Sequence, residues 1–140
     1  MKLPPEEKIL EAYTAIADER VTMQEDHAEV LSSDRQKAYK VRWNGTTFAS
    51  SDPATYWQSY PGYPVIAVLI LQGKIPADPK LMEQMKGIPW KQLNDAHKRN
   101  YKAAAEEALE KIGAKEEILA MAADGNRILA GMDLTLKRKI

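Results

Sequence analysis

Two histidines stand in the chain, His27 and His97, and each has acids beside it: Glu25, Asp26 and Glu29 around the first, Asp95 near the second. An imidazole next to a carboxylate can move a proton or hold a divalent cation, so these residues come first. A metal needs several donors aimed at one point. No HxH, HxxxH or ExxH spacing orients both rings, and the acids around His27 suit a solvated turn. No metal and no cofactor is expected. His97 falls on the apolar side of a helical pattern, where a histidine usually packs and finds one hydrogen-bond partner. Should folding assemble a composite catalytic site, the candidates are His97, His27 and Asp95, with Arg42 as a cation. No serine lies in GxSxG or SxxK, and the seven glycines form neither GxGxxG nor GxxxxGK. The absence of cysteine removes thiolate chemistry and disulfides. The sequence leans away from an enzyme.

Binding chemistry is better represented. The stretch SDPATYWQSYPGYPVIAVLILQG, residues 51–73, crowds Tyr56, Trp57, Tyr60 and Tyr63 in front of the apolar run Val65–Leu71. Rings with a polar tip suit a half-wet position. Trp57, Tyr60 and Tyr63, with Arg42, are the candidate contact residues for a peptide, a ring or a second copy of the chain. The competing role is structural: with one Phe in the sequence, Trp and Tyr must fill much of the aromatic core. A weaker candidate is a cationic row, Lys91, Lys98, Arg99 and Lys102, which could meet nucleic acid. Asp95 interrupts that row, and Trp90 and Tyr101 fall on the opposite, core-facing stripe, away from where bases would stack. Formal net charge is zero, whereas a backbone-gripping protein usually carries a basic excess. Nucleic acid is therefore disfavoured as a partner.

These side chains need elements to position them. Pro4-Pro5 and Glu6-Glu7 open an amphipathic helix over about 5–19, with Ile9, Leu10, Tyr13, Ile16 and Ala17 on one face. RVTM and AEVLS read as short strands, with a continued helix through Met23, His27 and Leu31 as the rival. YKVRW-NG-TTFAS predicts a hairpin with Asn44-Gly45 in a type I′ turn and Trp43 opposite Thr46. Tyr39, Val41, Trp43 and Phe48 then share a buried face, with Lys40, Arg42 and Thr47 on the wet one. Asp52-Pro53 caps a short helical turn. Val65–Leu71 could be a buried strand or helix, and Pro64 before it with Gly73 after it favour helix. Asp78-Pro79 opens another helix, stopped by Gly87. Pro89 opens the longest, over about 90–112, and a last one covers about 115–131 with Gly125 as a possible break. The KRKI tail is expected to fray.

The expected fold is α+β: an N-terminal helix, a small antiparallel β-meander with an Asn-Gly hairpin, then a helical part around a buried central helix. At 140 residues and 44% hydrophobic, one globular domain over 1–140 has a real core. A cysteine-free chain suits a reducing cytoplasm. The longest apolar run falls well short of the roughly 20 residues that span a bilayer, so no membrane association is expected. The expected function is a soluble, non-enzymatic binding or protein-interaction domain that self-associates, with a homo-oligomer or another protein as partner. Substrate, pathway and oligomeric state are not encoded in any motif here.

Overall fold

In the computed structural model, which describes residues 2–139, the Pro-Pro-Glu-Glu start leads into helix α1, Lys8–Ala17. Its apolar face is buried as expected, but the helix is covered nearly all round. Lys8, Glu11 and Thr14, spaced as a polar stripe, are themselves 9%, 5% and 0% exposed. The stripe faces other protein, where an amphipathic pattern alone implied water. Four strands follow and pair antiparallel in order: β1 Val21–Met23, β2 His27–Leu31, β3 Ala38–Asn44 and β4 Thr47–Ser50. In β2, Ala28 and Val30 turn inward and Glu29 outward, the two-residue alternation of a pleat. That pattern excludes the continued helix through His27.

The expected hairpin forms with its turn one residue later. Asn44 pairs with Thr47, Trp43 with Phe48 and Val41 with Ser50, leaving Gly45 and Thr46 as the loop. Only Gly45 has positive φ, at 61°. A turn with glycine in its first central position needs just that one, where type I′ would need two. Each partner moves by two residues, so side-chain faces are kept. Val41 and Phe48 are buried on one face, while Lys40 and Arg42 are exposed on the other.

Helix α2, Pro53–Gln58, is capped by Asp52, and α3, Tyr63–Leu71, carries the apolar run. The ambiguous segment is thus a helix. Every residue from Pro64 to Ile70 is buried, as a helix apolar on all sides must be. It packs against α1 and beneath β1, β3 and β4. Helix α4, Pro79–Glu83, opens on an Asp78 cap, and Gly87 at φ 83° redirects the chain after it. The single helix expected over 90–112 is two: α5, Trp90–Ala96, and α6, Tyr101–Leu109. Lys98 and Arg99 between them are both left-handed, at φ 52° and 65°, and Asn100 caps the second helix. Helix α7, Lys115–Ala130, runs unbroken through Gly125. Glycine there permits close helix contact: a Cβ would stand 2.5 Å from Ile9 Cδ1 on α1.

Of the KRKI tail expected to fray, Lys137 belongs to a strand, while Arg138 and Lys139 lie beyond it. Thr135–Lys137 forms β5, parallel to β4, completing a five-stranded sheet in the order β1-β2-β3-β4-β5. Leu134, which is buried, and the partly buried Leu136 hold it to the core; Ile140 of the tail lies outside the described residues. The fold is α+β, with the helices gathered around α1 and α3. Among the described residues, no helix is long and apolar enough to cross a membrane.

Candidate functional site

The stretch around Tyr60 is built on a buried polar knot. Ser50 Oγ donates to Asp52, whose other carboxylate oxygen caps α2 by accepting from the Thr55 amide at 3.0 Å. Thr55 Oγ1 in turn accepts from the Gly62 amide at 3.0 Å. Ser50, Asp52 and Thr55 are all buried, so each bond is made in a low-dielectric setting where leaving it unmade would cost most. The knot ties the start of α2 to the start of α3 and so fixes Tyr60 in the loop between them and Tyr63 at the first position of α3. A second buried relay holds α5 in place. Trp90 Nε1 donates to Thr14 Oγ1 at 2.9 Å, and that hydroxyl donates to the Met85 carbonyl at 2.8 Å.

Between these two anchors lies a cleft of two adjoining lobes, of about 250 and about 480 Å³. Both lobes share Lys8, Tyr39, Tyr63, Arg99 and Tyr101, and Tyr60 closes the larger one. On the smaller side the floor is charged and buried. Lys8 Nζ stands 3.1 Å from Glu11 Oε2 and 4.1 Å from the centre of the Tyr101 ring. Asn94 Nδ2 reaches Glu11 Oε1 at 3.5 Å, while the Asn94 Oδ1 is buried without a partner among the described residues. Arg20, 2% exposed, donates from Nη1 to the Leu31 carbonyl at 2.7 Å and sits 3.4 Å from Asp18 through Nε. Tyr39 and Tyr63 meet edge to face at 6.5 Å.

Burial works hardest on the Lys8 ammonium and favours its neutral form, but the Glu11 carboxylate together with the Tyr101 and Tyr60 phenols outweighs it, and Lys8 titrates above its ordinary value. Burial dominates on the other side of the pair, so the Glu11 carboxyl is also pushed up despite Lys8. When this pair breaks, it breaks by protonating Glu11. Burial likewise raises the Tyr63 phenol, with Arg20 pulling it only partly back, and raises Tyr60 and Tyr39. Of the four cations lining the cleft, Lys8, Arg20 and Lys91 each have a carboxylate within 4.0 Å. Arg99, exposed at the rim, has none among the described residues.

The candidate residues divide among several places. Tyr60 and Tyr63 enter the cleft, and Trp57 lies at its outer rim, 65% exposed. Arg42 is on the outer face of the sheet, opposite His27, in a separate depression with Tyr56. His27 Nδ1 is 2.8 Å from its neighbour Asp26, and His97 Nε2 is 3.3 Å from Glu107. Asp95 is paired with Lys91 at 3.3 Å. Neither histidine lines the cleft, so the proposed composite of His97, His27, Asp95 and Arg42 is not brought together. The cationic row is divided as well: Lys91 and Arg99 border the cleft, while Lys102 faces a groove between α6 and α7. That groove, about 610 Å³, is larger than either lobe; Leu and Ala side chains form its apolar wall, and the charged residues along it, such as Glu6, Glu106 and Arg127, are exposed rather than buried. Among the described residues, no three His, Asp or Glu side chains converge as a metal site.

Lys8, Glu11, Arg20 and Asn94 had no signal in the sequence beyond their polarity. A Lys and a Glu three apart on a helix look alike whether they face water or another helix. No curated protein and no solved structure matches the chain. A family model matches residues 1–133, nearly the whole fold up to β5, and by it the chain belongs to the family described as uncharacterised conserved protein UCP014422.

Proposed function

We propose that the protein is a binding module whose cleft takes a small aromatic acid. The carrying observation is Arg99, a rim cation without a carboxylate partner, beside the rings of Tyr60, Tyr63 and Tyr101. A single anionic group on the ligand satisfies Arg99, and a planar body fits between the rings. The unpartnered Asn94 Oδ1 favours a ligand that also carries a hydrogen-bond donor. Concave, partly apolar sites with a few convergent polar groups are where small molecules bind. The absence of cysteine supports a reducing, cytoplasmic setting for this role.

Calorimetry of the purified protein with benzoate, 4-hydroxybenzoate and the neutral ring analogue benzyl alcohol tests this reading. The acids are expected to bind about tenfold or more tightly than the alcohol, a difference of about 1.4 kcal/mol. Arg99→Gln should abolish that preference. Equal binding of acid and alcohol, or none by any, sinks the proposal.

Self-association is a second reading, favoured by the 65% exposed indole of Trp57. Native mass spectrometry over a dilution series reads it directly. A dimer weakened by Trp57→Ala supports it, and a monomer throughout ends it.

A further inference from the structure

The outer face of the sheet carries a second, independent concentration of charge. Lys40, Arg42, Arg138 and Lys139 line a shallow depression of about 430 Å³ together with Tyr56, and among the described residues no acidic side chain lines it. Strand register extends the patch. Arg42 pairs with Ala49 and Ala49 with Lys137, so two exposed cations flank a small alanine across three strands. Cα partners share a face, which leaves a trough between the long side chains. Glu29, opposite Lys40 on β2, marks the acidic border on the far side.

Arg138 is held by aromatic rings. Its guanidinium lies 5.2 Å from the Tyr56 ring centre and 5.4 Å from that of Trp57. The two rings meet edge to face at 4.7 Å, and Trp57 is 65% exposed. Cations that outnumber the acids beside them repel one another and favour a ligand with repeated negative charge. An exposed indole beside them adds a flat apolar face. An acidic peptide would use the charge and leave the indole unused, whereas a single strand of nucleic acid uses both. The cationic row on α5 and α6 lacks this combination.

We infer that this face binds single-stranded nucleic acid. Phosphates run over Arg42, Lys137 and Lys139, and a base stacks on Trp57 beside Arg138. The cationic depression shares no lining residue with the cleft, and Trp57, on the cleft's outer rim, is where the two sites meet; neither reading depends on the other.

The test is fluorescence anisotropy of the full chain with a labelled oligothymidylate of about 12 nucleotides, within the span of sites that track a strand. Sodium polyphosphate and poly-glutamate serve as competitors. Binding is expected to weaken with salt at a log–log slope of about −2 to −3, as three or four phosphates are neutralised. Trp57→Ala should weaken binding about tenfold with the slope unchanged. Arg42→Gln should lower the slope by about one. Both positions are exposed, and circular dichroism confirms that the variants stay folded. Absence of binding at low salt overturns the inference. So does displacement by polyphosphate or poly-glutamate as effective as by unlabelled oligothymidylate, because that outcome marks a charge-only surface for acidic partners. Unchanged affinity in Trp57→Ala overturns it too.

Discussion

At the scale of single residues, the Lys8–Glu11 pair governs how the cleft responds to pH. Both side chains are nearly buried, so removing one strands the other in a poorly solvated site. Lys8→Met keeps the bulk and removes the charge, leaving Glu11 alone. The expected cost near neutral pH is about 3–5 kcal/mol. Its pH dependence has a definite sign. The folded carboxyl already titrates above its ordinary value of 4.5, so the folded chain holds that proton more tightly than the unfolded chain. This contribution to stability is complete below the unfolded value and is lost as pH rises through the folded one. Without Lys8 the folded value climbs further, and the variant should lose stability more steeply with rising pH than the parent. Urea melts at several pH values check this; parallel stability profiles for the two proteins would show that Glu11 is not the titrating group. The same residues explain why sequence reading found only half the cleft. Tyr60 and Tyr63 announced themselves by crowding, whereas Lys8 and Glu11 carried no mark of burial.

At the scale of elements, the knot at Asp52 decides whether the aromatic loop holds its shape. A methyl at Gly62 would overlap the Asp52 carboxylate and stand 3.1 Å from Ala54 Cβ. Gly62→Ala should cost about 1–3 kcal/mol, the range for overpacking, and should weaken ligand binding in the cleft as Tyr60 and Tyr63 move. Gly45→Ala is the contrast. Nothing lies within 4 Å of its Cβ position, but φ is +61°, so strain alone should cost about 1 kcal/mol with cleft binding intact. Thermal melts and calorimetry on both variants separate the two mechanisms; equal effects on binding would deny the knot its role. Elements whose apolar pattern and end signals agree, such as α1, α3 and the β3–β4 hairpin, were legible in the sequence. The division between α5 and α6 was not. Every residue from Trp90 to Leu109 is compatible with helix, and the break comes from contacts far along the chain, such as Trp90 with Thr14. Likewise β5 went unseen because three strand residues between charges give too short an alternation to stand out.

At the scale of the whole molecule, β5 joins the last segment of the chain to the sheet and brings Arg138 to the aromatic pair. A chain ending at Asp133 should still fold, since α1, α3 and β1–β4 keep their contacts with one another. Losing the buried Leu134 removes about 1.5–3 kcal/mol. For a chain of this length that lowers Tm by about 4–10 °C. Amide exchange at Thr47–Ala49, now on an open edge, should quicken; an unchanged Tm and exchange pattern would show that β5 contributes nothing. The break before α6 has a wider consequence. Lys98 and Arg99 hold left-handed backbone at a cost of roughly 1–2 kcal/mol each, in a stretch whose local preference is one straight helix. The bend is closed by local hydrogen bonds, the Arg99 amide donating to the Asn94 carbonyl at 2.7 Å and the Lys98 amide to that of Asp95 at 3.1 Å. Two backbone angles thus set where the Arg99 side chain stands on the rim of the cleft.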